Sequence, residues 1–387
     1  MPDRPWRDRY LVFGAPYIGS EERAEILACI DSTWVGSGPR VERFEQQFRD
    51  YLGAPSAVAL SSGTAALHLA LRELRLAPGD EVITTAMTFC ATANAIVHAG
   101  LVPVFADCDR ATMNLDPAGL ERRITPRTRA IVPVHFAGLP CDLRAIMAIA
   151  ERHDLRVVED CAHAIEATID GRHCGTFGDF GCFSFYVTKN LTTVEGGMVV
   201  GRAREHADRI KIAALHGMSK DAWHRYRDEG FVHYDVVEPG FKYNLTDLAA
   251  SLGLHQLARL ESMWERRRQL WAFYEAELRD LPLLLPPKPP AGVRHALHLF
   301  TCLVDDTRTR VSRDDVLGRL HQLRIGCGVH YRPVHLHSYY RTRYGYAPGD
   351  LPNAEFVGAR TLSLPFSGAL TDDDAGDVVR AFRMVLG

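Results

Sequence analysis

Between Ala57 and Glu159, short apolar and β-branched runs alternate with longer stretches whose apolar positions recur every three to four residues. This pattern predicts strands over Ala57–Leu60, Glu81–Thr84, Val102–Ala106, Ala130–Val134 and Arg156–Glu159. Helices are predicted between them, over Thr64–Glu73, Cys90–Ala99, Asp116–Ile124 and Asp142–His153. Such a series implies a parallel sheet covered by helices on both faces. Upstream, Ser20–Ile30 opens with a capping serine and acidic residues in its first turn, and Val41, Phe44, Phe48 and Tyr51 mark the stripe of a second helix. The glycine-rich loop between them, Thr33–Pro39, fits a pocket wall or a plain turn.

Beyond Gly201 the pattern becomes mainly helical, with helices expected over Arg204–Leu215, Leu245–Leu260 and Met263–Arg279 and an irregular stretch from Gly217 to Gly240. The run Leu281–Pro290 carries too many prolines for a helix or a central strand. Strands at Leu297–Val304 and near Gly326–His330, with helices at Ser312–Leu323 and Asp372–Leu386, complete a smaller α/β unit. The expected division is a large domain over residues 1–260 and a linking helix with a small C-terminal domain over 261–387.

Composition narrows the class of protein. At 387 residues, with 47% hydrophobic and 24% charged positions, the chain has the make-up of a folded protein with a large core. A net charge of -3 provides no field to gather nucleic acid or an anionic membrane, so any phosphate must be held locally. The nine cysteines are scattered without a Cys-x-x-Cys pair, as expected of reduced thiols in the cytoplasm. No apolar run suits a signal peptide or a membrane span, so cytoplasmic residence is expected.

Candidate chemistry lies where strands end, because ligands of open α/β sheets bind at the carboxyl ends of the strands. Cys182–Val187 reads as a strand that stops at Thr188 and Lys189. A lysine beside apolar surroundings loses its proton more readily and becomes a Schiff-base nucleophile; a strand-end lysine in water fits the same residues. Ser61-Ser62-Gly63-Thr64 follows a strand and starts a helix, which makes a seat for an anion or an ordinary serine cap. Glu159-Asp160-Cys161-Ala162-His163 ends another strand with a carboxylate that suits a protonated pyridine nitrogen. An amine, a phosphate seat and an acid together meet the needs of pyridoxal 5'-phosphate.

These segments carry a family resemblance. The blocks GSGPRVERFEQQF, AVALSSGTAALHLAL, PGDEVIT, ITPRTRAIVPVHFAGLPCDL, VVEDCAHA, GTFGDFGCFSFYVTKNLTTVEGGMVV, GFKYNLTD and VHYRPVHLHSYYRTRYG resemble, in collinear order, the DegT-type sugar aminotransferases. These are fold-type I enzymes with a large domain, its mostly parallel sheet lying between helices, and a smaller C-terminal α/β domain. The resemblance implies Lys189 as the Schiff-base lysine, Asp160 as partner of the pyridinium nitrogen, and His163 beside the ring near its hydroxyl. Gly63, Thr64 and Ser184 would hold the cofactor phosphate, and Phe89 would stack on the pyridine face. Asn244 would reach the phosphate of a neighbouring subunit's cofactor, implying a homodimer with shared active sites. His330 and Tyr331 resemble substrate-side residues.

The activity so implied moves the amino group of L-glutamate, released as 2-oxoglutarate, to a nucleotide-diphosphate (dTDP- or UDP-linked) 4-keto-6-deoxy sugar. A 3-keto substrate and a non-catalytic regulator are the alternatives; the second lacks a DNA-binding module or basic arm. Related sugar dehydratases carry histidine at the position of Lys189. Arg225 and Arg332 are candidates for the donor carboxylate. Gly175-x-x-Gly178-x-x-Gly181 is not a dinucleotide fingerprint. No metal is expected at His330, His335 and His337, which lack a matching carboxylate set, and Arg266-Arg267-Arg268 reads as a solvated helix face whose arginines could meet a nucleotide diphosphate.

Overall fold

The computed structural model describes residues 6–219 and 233–387. The first two helices are α1 (Ser20–Asp31) and α2 (Pro39–Leu52). Proline at the first position of α2 has its preset φ and no amide to leave unbonded, and Gly53 ends the helix in the left-handed region at φ 64°. The alternating series follows as β1 (Ser56–Leu60), α3 (Gly63–Glu73), β2 (Glu81–Thr85), α4 (Cys90–His98), β3 (Val102–Ala106), α5 (Pro117–Glu121), β4 (Thr128–Val132), α6 (Leu143–Arg152) and β5 (Arg156–Asp160). Then come β6 (Thr168–Ile169), β7 (Arg172–His173), β8 (Phe180–Ser184), β9 (Gly197–Gly201) and α7 (Arg204–Ala214).

Seven of these strands form one sheet in the order β1-β9-β8-β5-β4-β2-β3. The ladder is parallel from β3 to β8, and β9 runs antiparallel to both β8 and β1. No sequence signal marked β9 as a strand. It is the return of a hairpin-like excursion from β8, and its first residue must be glycine, since a Cβ on Gly197 would lie 2.4 Å from the Ser62 carbonyl oxygen. The strand expected over Cys182–Val187 is shifted to Phe180–Ser184, because the ladder with β9 ends at the Ser184 and Gly197 pair. Phe183 of β8 and Phe185 beyond it meet Phe44 and Phe48 of α2 edge to face, with Phe48 and Phe183 centroids 5.1 Å apart. That aromatic cluster anchors the segment leading to Lys189.

The remaining elements are α8 (Asp247–Ala258), α9 (Leu260–Leu278), β10 (Leu283–Leu284), β11 (Val293–Arg294), β12 (Thr301–Val304), α10 (Arg313–Gln322), α11 (Ser338–Tyr344), α12 (Pro352–Arg360), β13 (Thr361–Ser363) and α13 (Asp372–Leu386). Strands β10, β12 and β13 form a second sheet, and Tyr274, Phe300, Phe366 and Phe382 lie in the core beside it. Leu11 of the N-terminal arm belongs to this second core and bridges to Ile325. Gly326–His330 is not a strand: Gly328 alone exchanges backbone hydrogen bonds with Ser363, after which the chain turns toward the sheet ends.

Within the basic run on α9, Arg268 is exposed as expected and Arg267 is not. Arg267 is 2% exposed and ion-paired with Glu166, which is 0% exposed. The second oxygen of Glu166 accepts from Asn190 Nδ2 at 2.9 Å, so the pair braces the residue next to Lys189. Glu166→Ala would leave a buried guanidinium without its counter-charge. The expected cost is about 3 kcal/mol or more, read as a lower calorimetric Tm, and Arg267→Met with Glu166→Leu should recover much of it.

Candidate active site

The carboxyl ends of β1, β2, β5 and β8 open on one cavity of about 610 Å³. Asp160, His163 and Lys189 line it together; so do Gly63, Thr64 and Ser184 at one corner, and Phe89, His330 and Tyr331 on other walls. Nine of the ten residues that the family resemblance assigns to the site therefore share one hollow. The tenth, Asn244, lies in a neighbouring hollow beside Ser37, to whose Oγ it donates at 2.6 Å, and its buried Oδ1 has no hydrogen-bond partner. Arg332 is exposed and donates to the Leu336 carbonyl, away from the cavity lining, while Arg225 falls outside the described residues.

The anion corner follows from local structure. Ser62 caps α3 by accepting from the Ala65 amide at 3.1 Å, which leaves the amides of the first turn, at Gly63 and Thr64, without intrahelical partners. A Cβ on Gly63 would come within 2.8 Å of Ser184 Cβ, so glycine is what brings the helix start against the end of β8. Free amides, the helix dipole and the hydroxyls of Thr64 and Ser184 together favour a doubly charged phosphate.

Burial sets the charge states. Lys189 keeps some surface open to the cavity, yet the protein around it lowers its pKa from 10.5 to about 8; the Asp160 carboxylate opposes that shift. Asp160 is 4% exposed, and burial raises its pKa against the opposing influence of Thr92, the Ala162 amide, Lys189 and His135. His163 is held well below its ordinary value, by burial first and then by Lys189, His298 and His330. Burial and Lys189 also lower His330, to about 3.

The neutral His163 has a defined tautomer. The Ala137 amide donates to Nδ1 at 3.2 Å, which places the ring proton on Nε2, 3.2 Å from the Tyr331 hydroxyl. Ala137 presents that amide from a left-handed conformation at φ 56°, and buried Asn114 accepts from the preceding Phe136 amide at 2.8 Å. With His163 donating to its oxygen, Tyr331 has its own O–H proton available to the cavity. His330 is fixed from behind by Ser363 Oγ, 2.8 Å from its Nδ1. His335, by contrast, is fully buried and faces Glu355, a structural contact.

Among the described residues one trio, His135, Glu159 and Cys161, brings metal-ligand atom types within 4.8 Å of one another. Its histidine and carboxylate are already hydrogen-bonded. Glu159 accepts from the amides of Gly175, Phe177 and Gly178, each at 2.7 Å, and from His135 Nε2 at 3.2 Å. Gly175 and Gly178 thus lie in a loop clamped by Glu159 beneath Asp160, while Gly181 lies in β8. Thr88, Thr92, Tyr186 and Glu195, to which the sequence assigned no role, line the same cavity. The available signal was position: Thr88 and Tyr186 lie just beyond a strand end, Thr92 lies in the first turn of the next helix, and Glu195 lies just before β9.

Comparison with known proteins gives concordant results. The sequence model described as the DegT/DnrJ/EryC1/StrS aminotransferase family matches residues 16–383. The chain is 46% identical over 381 residues to the spore coat polysaccharide biosynthesis protein SpsC of Bacillus subtilis, covering 98% of each chain. Among solved structures, the putative sugar aminotransferase Spr1654 of Streptococcus pneumoniae in its PMP form superposes with a TM-score of 0.91 at 32% identity, over 96% of this chain and 98% of that one. DesI, solved in the presence of its TDP-sugar product, gives 0.87 at 32% identity, over 98% and 94%.

Proposed function

The chain belongs to the DegT/DnrJ/EryC1/StrS aminotransferase family, and from that premise we propose that it transfers the amino group of L-glutamate to a nucleotide-diphosphate 4-keto-6-deoxy sugar. The observation that carries the reading is the single cavity shared by the Lys189 amine, the buried Asp160 carboxylate and the anion corner at Gly63, Thr64 and Ser184. Pyridoxal 5'-phosphate fits these groups at three points: phosphate at the free amides, ring nitrogen at the carboxylate, aldehyde at the amine. A TDP-sugar as the product of DesI supports a nucleotide-linked substrate, and the PVHFAG and GFKYNLTD blocks support the 4-position.

When bound, the cofactor supplies an aldehyde that exchanges amines and a pyridinium that accepts electron density. Lys189 Nζ holds the proton taken from the donor α-carbon and delivers it onward, since burial raises the neutral share of the amine near neutral pH far above that of an exposed lysine. Asp160 holds positive charge at the ring nitrogen. Phe89 offers a ring face at the cavity wall, while His163 and Tyr331 direct protons toward the reacting region. Asn244 would serve the cofactor of a second subunit, in keeping with its place outside this cavity, and Phe89 at 59% and Tyr186 at 46% exposure leave apolar surface for that subunit to cover. A cytoplasmic homodimer is the form proposed; among the described residues no helix is long and apolar enough to cross a membrane.

The direct test is a panel of dTDP- and UDP-linked 3-keto and 4-keto sugars incubated with the holoenzyme and glutamate. Amine at C4 with matching 2-oxoglutarate supports the reading, and conversion of 3-keto sugars alone overturns the assigned position. A second expectation concerns cofactor capture by the apoprotein. The ammonium form cannot attack an aldehyde, so the rate should rise with pH and level off above about 8, where Lys189 is neutral. At pH 6 it should be about a hundredfold below the plateau, one decade for each pH unit under the pKa. A flat profile between pH 6 and 9, followed by stopped-flow absorbance, would contradict the Lys189 assignment.

A further inference from the structure

We propose that Thr92, itself held by Thr88, is a positioning residue that keeps the Asp160 carboxylate ionised and fixed as the acceptor for the ring nitrogen of the bound cofactor. The proposal rests on the reading of Asp160 as the pyridinium partner.

The geometry is a directed chain of hydroxyls. Thr92 Oγ1 lies 2.7 Å from Asp160 Oδ2, and Thr88 Oγ1 lies 2.7 Å from Thr92 Oγ1. The other carboxylate oxygen accepts from the Ala162 amide at 3.1 Å. All three side chains are buried, at 2%, 1% and 4% exposure for Thr88, Thr92 and Asp160.

A hydroxyl has one proton to donate, and an ionised carboxylate can only accept. Thr92 therefore directs its proton to Asp160, its oxygen is left as acceptor, and the donor to it must be Thr88. Every bond in this order points toward Asp160. The reverse order, from a protonated Asp160 through Thr92 to Thr88, would leave the acid with its proton committed and a weaker acceptor at the ring nitrogen.

The hydroxyl chain matters because burial alone pushes Asp160 toward its neutral form. The groups facing it are Lys189 beyond β8, His135 beyond β4, the thiols of Cys161 and Cys182, and the phenol of Tyr331. Lys189 and His135 favour the carboxylate, but Lys189 gives up its positive charge as it becomes a nucleophile. Among the described residues, Thr92 and the Ala162 amide are the donors that bond the carboxylate directly, and neither changes charge during the reaction. The spacing supports the assignment: Thr88 ends the segment after β2, Thr92 is the third residue of α4, and this junction carries both hydroxyls to the end of β5.

The test compares the holoenzymes of Thr92→Val, which keeps the shape and removes the hydroxyl, Thr92→Ser, which keeps the hydroxyl, and Asp160→Asn. The readouts are the visible absorbance of bound cofactor against pH, the cofactor Kd, and kcat and KM for glutamate. A hydrogen bond to a charged group is strong enough that Thr92→Val should move the acid limb of the kcat profile upward by about one pH unit. It should also lower kcat about tenfold and weaken cofactor binding, with Thr92→Ser restoring all three. Thr88→Val should shift the limb in the same direction by less. A Thr92→Val enzyme that matches the wild type, or a Thr92→Ser enzyme impaired as badly as Thr92→Val, overturns the proposal, since in the second case restoring the hydroxyl restores nothing. If Asp160→Asn is impaired while Thr92→Val is not, the hydroxyl chain fails and the Asp160 assignment stands. If Asp160→Asn leaves the spectrum and turnover unchanged, the Asp160 assignment falls and the chain falls with it.

Discussion

Lys189→Ala is expected to lower amine transfer by about 10⁴-fold, the combined loss of a nucleophile and of the base that moves the α-proton. Among the described residues lining the cavity, Lys189 is the only lysine. His163 and His330 also line it, but both are held neutral with pKa values well below the working pH, which makes them poor proton acceptors there. The variant should therefore lose the visible band of the loaded enzyme while still taking up cofactor through the corner at Gly63, Thr64 and Ser184. A small primary amine added in millimolar amounts should restore part of the rate, because it can enter the space the side chain leaves. A variant with the wild-type band and wild-type turnover would remove Lys189 from the mechanism and leave the cavity without a nucleophile.

Asp160→Asn should cost about 10³-fold in kcat with little change in the volume of the side chain. The carboxylate is buried and bonded by Thr92 and the Ala162 amide, so the amide that replaces it cannot satisfy both donors and still accept from a ring N–H. The unprotonated ring that results is a poor electron acceptor, and the loss should fall on kcat rather than on the KM for the nucleotide sugar. Fluorescence titration of the apoprotein should show weaker cofactor binding as well. Equal losses in kcat/KM for glutamate and for the sugar would fit, since each half-reaction needs the same charge at the ring nitrogen. A loss confined to the sugar half would instead make Asp160 a substrate contact.

The two variants probe residues brought together from separate strand ends, and this is why part of the site could be read without coordinates. The helix start at Gly63, the carboxylate at Asp160 and the lysine at Lys189 each follow an apolar run, and parallel strands place their carboxyl ends on one side of the sheet. The periodicity located the parallel strands of the sheet to within a few residues for the same reason: their alternation with amphipathic helices is a local property. It failed at β9 and at α11, α12 and β13. The first is a glycine-led strand whose partner ladders supply its reason to exist, and the others are short elements that fold by packing on a neighbouring layer.

Residue types and their order along the chain were enough to specify an α/β sheet and a lysine, a carboxylate and a phosphate seat at its strand ends, because spacing and capping act between near neighbours. Only the tertiary structure decided which polar groups are bonded to which: Arg267 buried against Glu166 instead of facing water, Glu159 bound beneath the site by three amides, His163 held in one tautomer by Ala137, and Thr92 joined to Asp160. Those pairings join residues far apart in the chain, and the direction of a hydrogen bond and the pKa of a buried group depend on the enclosure around them, which no short stretch of sequence contains.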